Sequence, residues 1–288
     1  MTTIAPAQAH PSQGSRIAPT TRLSFGGVLR SEWVKLRSLR STVWSYLITI
    51  AISVGMALLM SFSMAYGFEG PMDGSAVPAA EQTSLVLQSS VFGVYFGQLV
   101  VGVLGVLVIS GEYTTGMIRS TLTAVPKRLP ALAGKGVVLF VATFLLGLLA
   151  NLLAFLTSSI VFASVDVSAN LFQSDVLLAL AGGALYLALV AVFALGVGTM
   201  LRSSAGGIAA VLGLLLLVPT ILSLIPAEWA TDMVPYLLSN AGMTMFTTIG
   251  ADPATIVGPN AWQSLLVVLA WVGVSLVGAS VLLKRRDA

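Results

Sequence analysis

Residues 109–135 read ISGEYTTGMIRSTLTAVPKRLPALAGK, and what flanks them decides the fold. Apolar runs lie on both sides, 86–109 and 132–162, each near or above the roughly 20 residues an α-helix needs to cross a hydrocarbon core. A polar segment between two such runs must sit at one membrane face, where a soluble molecule can reach it. It holds Glu112, Arg119, Lys127, Arg128 and Lys135. A lone carboxylate, a short helix punctuated by glycine and a basic end suit docking better than catalysis.

Working outward, four more apolar runs appear at 43–66, 176–200, 205–225 and 262–283. Apolar residues make up 57% of the chain and charged ones 9%, against roughly 45–50% and about 25% in soluble domains. The expected fold is therefore an all-α integral membrane protein with six transmembrane helices. The third run exceeds what a bilayer needs, so it either tilts or begins as a helix outside the membrane. Pro219 removes a backbone hydrogen bond from the fifth run and is expected to kink it. The connection 226–261 is too long for a turn, and its AEWATDMVPYLLSNAGMTMF segment is partly amphipathic, which predicts short helices dipping into the outer leaflet.

The chain before the first run divides in two. Residues 1–21 have low hydrophobicity and no period, which predicts a disordered tail, and no apolar core follows early enough for a signal peptide. Residues 22–41 contain LSFGGVLRSEWVKLRSLR, with Phe25, Val28, Leu29, Trp33, Leu36 and Leu39 at helical spacing. Arg30, Lys35, Arg37 and Arg40 fall mainly on the remaining arc. That pattern predicts an amphipathic interfacial helix with Trp33 as its anchor, which either merely orients the first span or also contacts a cytoplasmic partner. Residues 42–288 then form the six-helix domain.

The basic residues set the orientation. All 14 Lys and Arg lie before the first run, around the second connection (Lys135 just inside the start of the third run), between the fourth and fifth, or after the sixth. The other connections carry Glu69, Asp73, Glu81, Asp166, Asp175, Glu228, Asp232 and Asp252. The positive-inside rule places both termini, with the second and fourth connections, in the cytoplasm. The net charge of +3 and the pI near 9.4 report this topology and contact with anionic lipid, with no need for nucleic acid.

Several chemistries are excluded by what the chain lacks. It has no cysteine, and its one histidine, His10, lies in the tail, so thiolate, His-based catalytic and metal sites are not expected. No Lys, Arg, Asp or Glu falls near the middle of a run, which argues against proton- or sodium-driven carriage and a selective ion pore. Gln98 and Asn151 could line a substrate route, or could hydrogen-bond helix to helix. Gly93 and Gly97 have the spacing that brings helices close, which reads as ordinary packing. Gly134-Lys135-Gly136 lacks the Ser or Thr of a phosphate loop, and no polar stretch has room for a nucleotide-binding domain. Any energy source is another polypeptide.

At Glu112 the chain resembles ABC-2 type permeases, the membrane subunits of bacterial ABC exporters. That family's first cytoplasmic loop carries a Glu, a Gly-Thr-Ile-like step, a basic residue, a Leu, a Pro with basic residues after it, and a Lys opening the third span. Those places are taken here by Glu112, Gly116 with Met117 and Ile118, Arg119, Leu122, Pro126 with Lys127 and Arg128, and Lys135. Met117 stands where Thr is usual. SEWVKLRSLRS at 31–41, SNAG at 239–242 and the terminal KRRDA are similar to the actinobacterial branch.

The resemblance implies a multi-pass permease of the bacterial plasma membrane that moves a substrate outward; a route with few charges suits an amphipathic or lipid-like compound, and peptides and antibiotics as well. It implies a second permease, identical or related, and two copies of an ABC ATP-binding subunit that hold ATP and magnesium, this chain binding no cofactor or metal and catalysing nothing itself. The coupling helix that docks on the ATPase would comprise Glu112, Tyr113, Thr115, Gly116, Met117, Ile118 and Arg119. A competing reading of Glu112 is a carboxylate capping the start of a short helix. A competing reading of the chain is a non-transporting membrane anchor or regulatory subunit for a cytoplasmic protein.

Overall fold

The computed structural model describes residues 24–67, 70–114, 116, 128–248 and 258–285. The tail 1–21 and most of the expected coupling helix lie outside them. All the described regular structure is helical, with no strand among the described residues.

Two helices open the chain: α1, Phe25–Ser38, and α2, Arg40–Ala65, with only Leu39 between them in extended backbone. Ser24 caps α1 by accepting the Gly27 amide at 3.1 Å. Next come α3, Ala79–Val91, and α4, Val94–Thr114, interrupted at Phe92 and Gly93. The break falls within a single 36-residue apolar segment, 79–114, and coincides with a close helix contact. A Cβ at Gly93 would land on the Ser53 backbone of α2, so the chain is glycine where the two helices touch.

Helix α5, Arg128–Ala163, has 36 residues, roughly 54 Å at the usual rise and well beyond a hydrocarbon core. Pro130 falls in its first turn, where a missing N–H costs nothing. Helix α6, Ser174–Leu201, is buried along nearly its whole length, with α4, α5 and α11 packed around it. Lipid gives helices no hydrophobic reason to associate, so close packing through small residues must hold them. Accordingly α6 meets its neighbours through Gly183, Ala184, Ala188, Ala191, Ala194, Gly196 and Gly198.

The fifth spanning segment is α7, Ser204–Leu212, a π-helical turn, Gly213–Leu217, and α8, Val218–Ser223. The π turn sits immediately before Pro219. The Val218 amide reaches the Gly213 carbonyl five residues back, which absorbs the register change the proline demands. The long connection holds α9, Glu228–Met233, and α10, Leu238–Thr247. The short helices expected there exist, but α10 inserts into the bundle. Gly242 lies on the Tyr186 ring of α6, and the Phe246 ring sits tilted against it at 6.2 Å. Finally α11, Ala261–Arg285, closes the bundle.

Six segments are long and apolar enough to cross a membrane: 40–65, 79–114, 129–163, 174–201, 204–223 and 261–285. This is a multi-pass membrane protein. Contacts sort the ends of its helices into two groups. At one end, the starts of α2, α5 and α7 meet the ends of α1, α4, α6 and α11, and all the described Lys and Arg side chains lie there. At the other, the Gly74 amide donates to the Val165 carbonyl at 3.1 Å and Gln82 bridges the Gly74 and Val77 carbonyls to the Ser168 amide. That end carries Asp73, Glu81, Asp166, Asp175, Glu228 and Asp232 and no described Lys or Arg.

Candidate functional site

The basic end is organised by four charges in a closed ring. Lys35 Nζ donates to Glu32 Oε1 at 2.8 Å and to Glu112 Oε1 at 3.1 Å. Lys135 Nζ donates to Glu32 Oε2 at 2.6 Å and to Glu112 Oε1 at 2.9 Å. Three helices are thereby tied: α1 through Glu32 and Lys35, α4 through Glu112, α5 through Lys135. Glu32, Glu112 and Lys135 are only 4, 7 and 6% exposed, so these are buried ion pairs rather than surface ones.

Glu112 lies in the last turn of α4, not at the start of a short helix as the capping alternative held. A carboxylate there faces the negative end of the helix dipole. The two ammonium groups offset that. One of its oxygens, Oε2, is buried without a hydrogen-bond partner. Beyond it, Gly116 has φ +72°, a left-handed conformation that suits glycine and turns the chain off the helix, its amide reaching the Tyr113 carbonyl at 3.4 Å. Arg202, at the left-handed end of α6, stacks its guanidinium 5.3 Å from the Tyr113 ring, and Ser204 Oγ meets Ser110 Oγ at 3.0 Å. The base of the 112–121 connection is thus fixed to α1, α5 and the α6–α7 turn.

Among the other residues expected to function, Thr115, Met117, Ile118 and Arg119 lie outside the described residues. Trp33 is 45% exposed on α1, and Arg37 and, at the start of α2, Arg40 are exposed as well. The stripe that α1 buries is Val28, Glu32 and Leu36. A carboxylate therefore occupies a core position. Its spacing, four residues from each apolar neighbour, was the sequence signal for the ring, and reading the apolar face through Trp33 overlooked it. Gln98 is buried: its Oε1 accepts from the Tyr186 hydroxyl and its Nε2 donates to the Tyr95 carbonyl at 3.0 Å. Asn151 Nδ2 donates to the Leu180 carbonyl at 2.9 Å, with no exposure at all.

Two hollows flank these features. A cavity of about 410 Å³ lies against the ion ring where α1 crosses α4 and α5. Nearer the acidic end, an apolar groove of about 560 Å³ runs between α5, α6, α10 and α11 along Phe144, Leu178, Leu185, Met245 and Trp262. Neither is bordered by Gln98 or Asn151. Among the described residues, no group of His, Cys, Asp and Glu could hold a metal.

The ring has a defined response to pH. Burial pushes the Glu32 carboxyl up, but the Lys135 and Lys35 ammonium groups outweigh it and hold it below its usual 4.5. Burial pushes Lys35 down, while Glu32 and Glu112 hold it above its usual 10.5. Glu32's contribution to docking α1 is complete above 4.5 and is lost as pH falls through its lower folded value. Lys35's is complete below 10.5 and is lost as pH rises through its higher folded value. The distance between spin labels at Ser31 on α1 and Val137 on α5 is expected to stay constant between those limits and to lengthen outside them. A change near neutral pH would contradict the ring.

Residues 28–222, more than half the chain, match a protein-family model described as ABC-2 family transporter protein. No curated protein matches the chain.

Proposed function

The chain belongs to the ABC-2 family of transporter proteins, and from that premise we propose that it is the permease subunit of an ATP-driven exporter in a bacterial plasma membrane. ATP and magnesium are held by two copies of a separate ABC ATP-binding subunit. A second permease, identical or related, completes the membrane body, and both termini face the cytoplasm. The segment from Glu112 through Tyr113, Thr115, Gly116, Met117 and Ile118 to Arg119 is the helix that enters the ATPase. Closure of the ATPase pair pushes it and rocks the two permease halves.

The observation that carries this reading is the buried ring at the base of that segment. A docking element that is to move a membrane body must be rigidly joined to it. Glu112 joins α4 to α1 and α5 through two lysines, so force on the loop is felt by three helices at once. In this reading Glu112 anchors the segment, and Met117, Ile118 and Arg119 make the contact. The groove bounded by Phe144, Leu178 and Trp262 supports an apolar or lipid-like cargo. A route past Gln98 and Asn151 requires the Gln98–Tyr186 bond to open as the halves rock.

Arg119→Glu tests the proposal. Its expected effect is full insertion and normal yield, with ATPase activity of the copurified complex falling to that of the ATPase alone. Stimulation equal to wild type would remove the docking role.

A further inference from the structure

We propose that the cavity against the ion ring binds an amphiphile carrying a primary ammonium group, supplied in a membrane by the head of an aminophospholipid. Three observations lead there. The first is the balance of donors and acceptors. Both Glu32 oxygens accept from a lysine, and Glu112 Oε1 accepts from two. Glu112 Oε2 accepts from nothing and is itself buried, while the residue borders the cavity, so the carboxylate has to turn to present that oxygen there. What this corner lacks is a donor, and a buried acceptor left unmade is costly. A primary ammonium entering from the cavity supplies a third N–H, which an anion cannot; Lys35 and Lys135 line the cavity along with Glu32 and Glu112, so donor capacity and not net charge selects the occupant.

The second observation is the two-faced lining. Glu112, Lys35 and Ser41 form a polar wall, and Leu39, Val108 and Val138 an apolar one. Val108 precedes Glu112 by one helical turn and Val138 follows Lys135 by nearly one, both in the direction of the spans. The cavity therefore grades from charge to hydrocarbon along the helices, as an amphiphile does from head to chain. The third is depth. Leu39 is the joint between α1 and the first spanning helix, and Glu112 lies in the last turn of the second span. That is the level at which lipid heads join their tails. The volume of about 410 Å³ lies within the range of small-molecule sites.

The donor requirement makes the selectivity testable. A primary ammonium offers three N–H groups, each N-methylation removes one, and the trimethylammonium of phosphatidylcholine has none. Native mass spectrometry of the purified chain, with equal concentrations of phosphatidylethanolamine, its mono- and dimethyl forms and phosphatidylcholine, reads this directly. The expected result is that the mono- and dimethyl forms, which keep an N–H, are retained with phosphatidylethanolamine, and that phosphatidylcholine is retained about tenfold less, the ratio one charge-assisted hydrogen bond supplies. Gly111 borders the cavity, and a Cβ there would meet nothing within 4 Å. Gly111→Leu is therefore expected to fill the space, keep the fold and abolish the preference.

Equal retention of all four lipids by the wild type would overturn the proposal, as would a preference that survives Gly111→Leu. Dodecylamine separates the two sources of ammonium. Competition between it and phosphatidylethanolamine supports the lipid head as the natural occupant. Dodecylamine binding without phosphatidylethanolamine binding would overturn the lipid assignment and leave a free amine. The measurement uses this chain alone, so its outcome is independent of the ATPase-docking proposal.

Discussion

Lys135→Met is expected to destabilise the protein by about 3–5 kcal/mol, the cost of removing one partner from a buried ion pair. The substitution leaves Glu32 and Glu112, 4 and 7% exposed, sharing Lys35 alone. Two carboxylates close enough to share one ammonium repel each other where water cannot screen them. Lys35→Met should cost less, because its side chain is 28% exposed and water can replace part of what it gives. The informative control is Glu32→Gln/Glu112→Gln/Lys135→Met, which removes the unpaired charge together with the pairing. Replacing a whole buried ionic group with neutral side chains is often nearly neutral for stability, so the triple variant should recover most of the loss. Thermal unfolding in detergent measures all three. A Lys135→Met protein as stable as wild type would mean that the ring is not buried.

Gly105→Leu is expected to part the two helices that hold the centre of the bundle. A Cβ at Gly105 of α4 would overlap the Ala191 carbonyl oxygen of α6 and approach the Ala194 Cβ to 2.8 Å. The obstacle is backbone, which cannot rotate aside. Overpacking of this kind costs about 1–3 kcal/mol, occasionally more, and here every added carbon drives α4 further from α6. Gly111→Ala, two turns along the same helix, meets nothing within 4 Å. It should be neutral or stabilising by up to about 1 kcal/mol, since alanine is the better helix former. Equal thermal midpoints for Gly105→Leu and wild type would refute the α4–α6 packing.

The six spanning runs were legible because the bilayer imposes a length no soluble helix needs. Pro219 marked the irregular fifth span for an equally local reason, though a π turn in Gly213–Leu217 and not a simple bend absorbs it. What stayed hidden depends on pairs far apart in sequence. Gly93 and Gly97 were visible as a motif, but that Gly93 lies against the Ser53 backbone follows only from how α2 and α4 pack. Gln98 was visible as a polar residue in an apolar run. Its partner Tyr186 is 88 residues away and reads as an ordinary aromatic. Glu32 and Lys135 are 103 residues apart, and counting charges by membrane side placed them together without saying that they touch. Glu112 was singled out as a contact for another protein. Its carboxylate is buried between Lys35 and Lys135, which the sequence does not show because both partners lie far from it in the chain.

The most direct test of the account is which side of the membrane residue 119 faces. The chain has no cysteine, so Arg119→Cys creates a single thiol in an otherwise native sequence. The account predicts no reaction with an impermeant maleimide added to intact cells, rapid reaction in inverted vesicles, and protection there when the ATP-binding subunit is present. Labelling on intact cells would put the segment outside, where no ATPase could drive it, and would contradict the proposed mechanism.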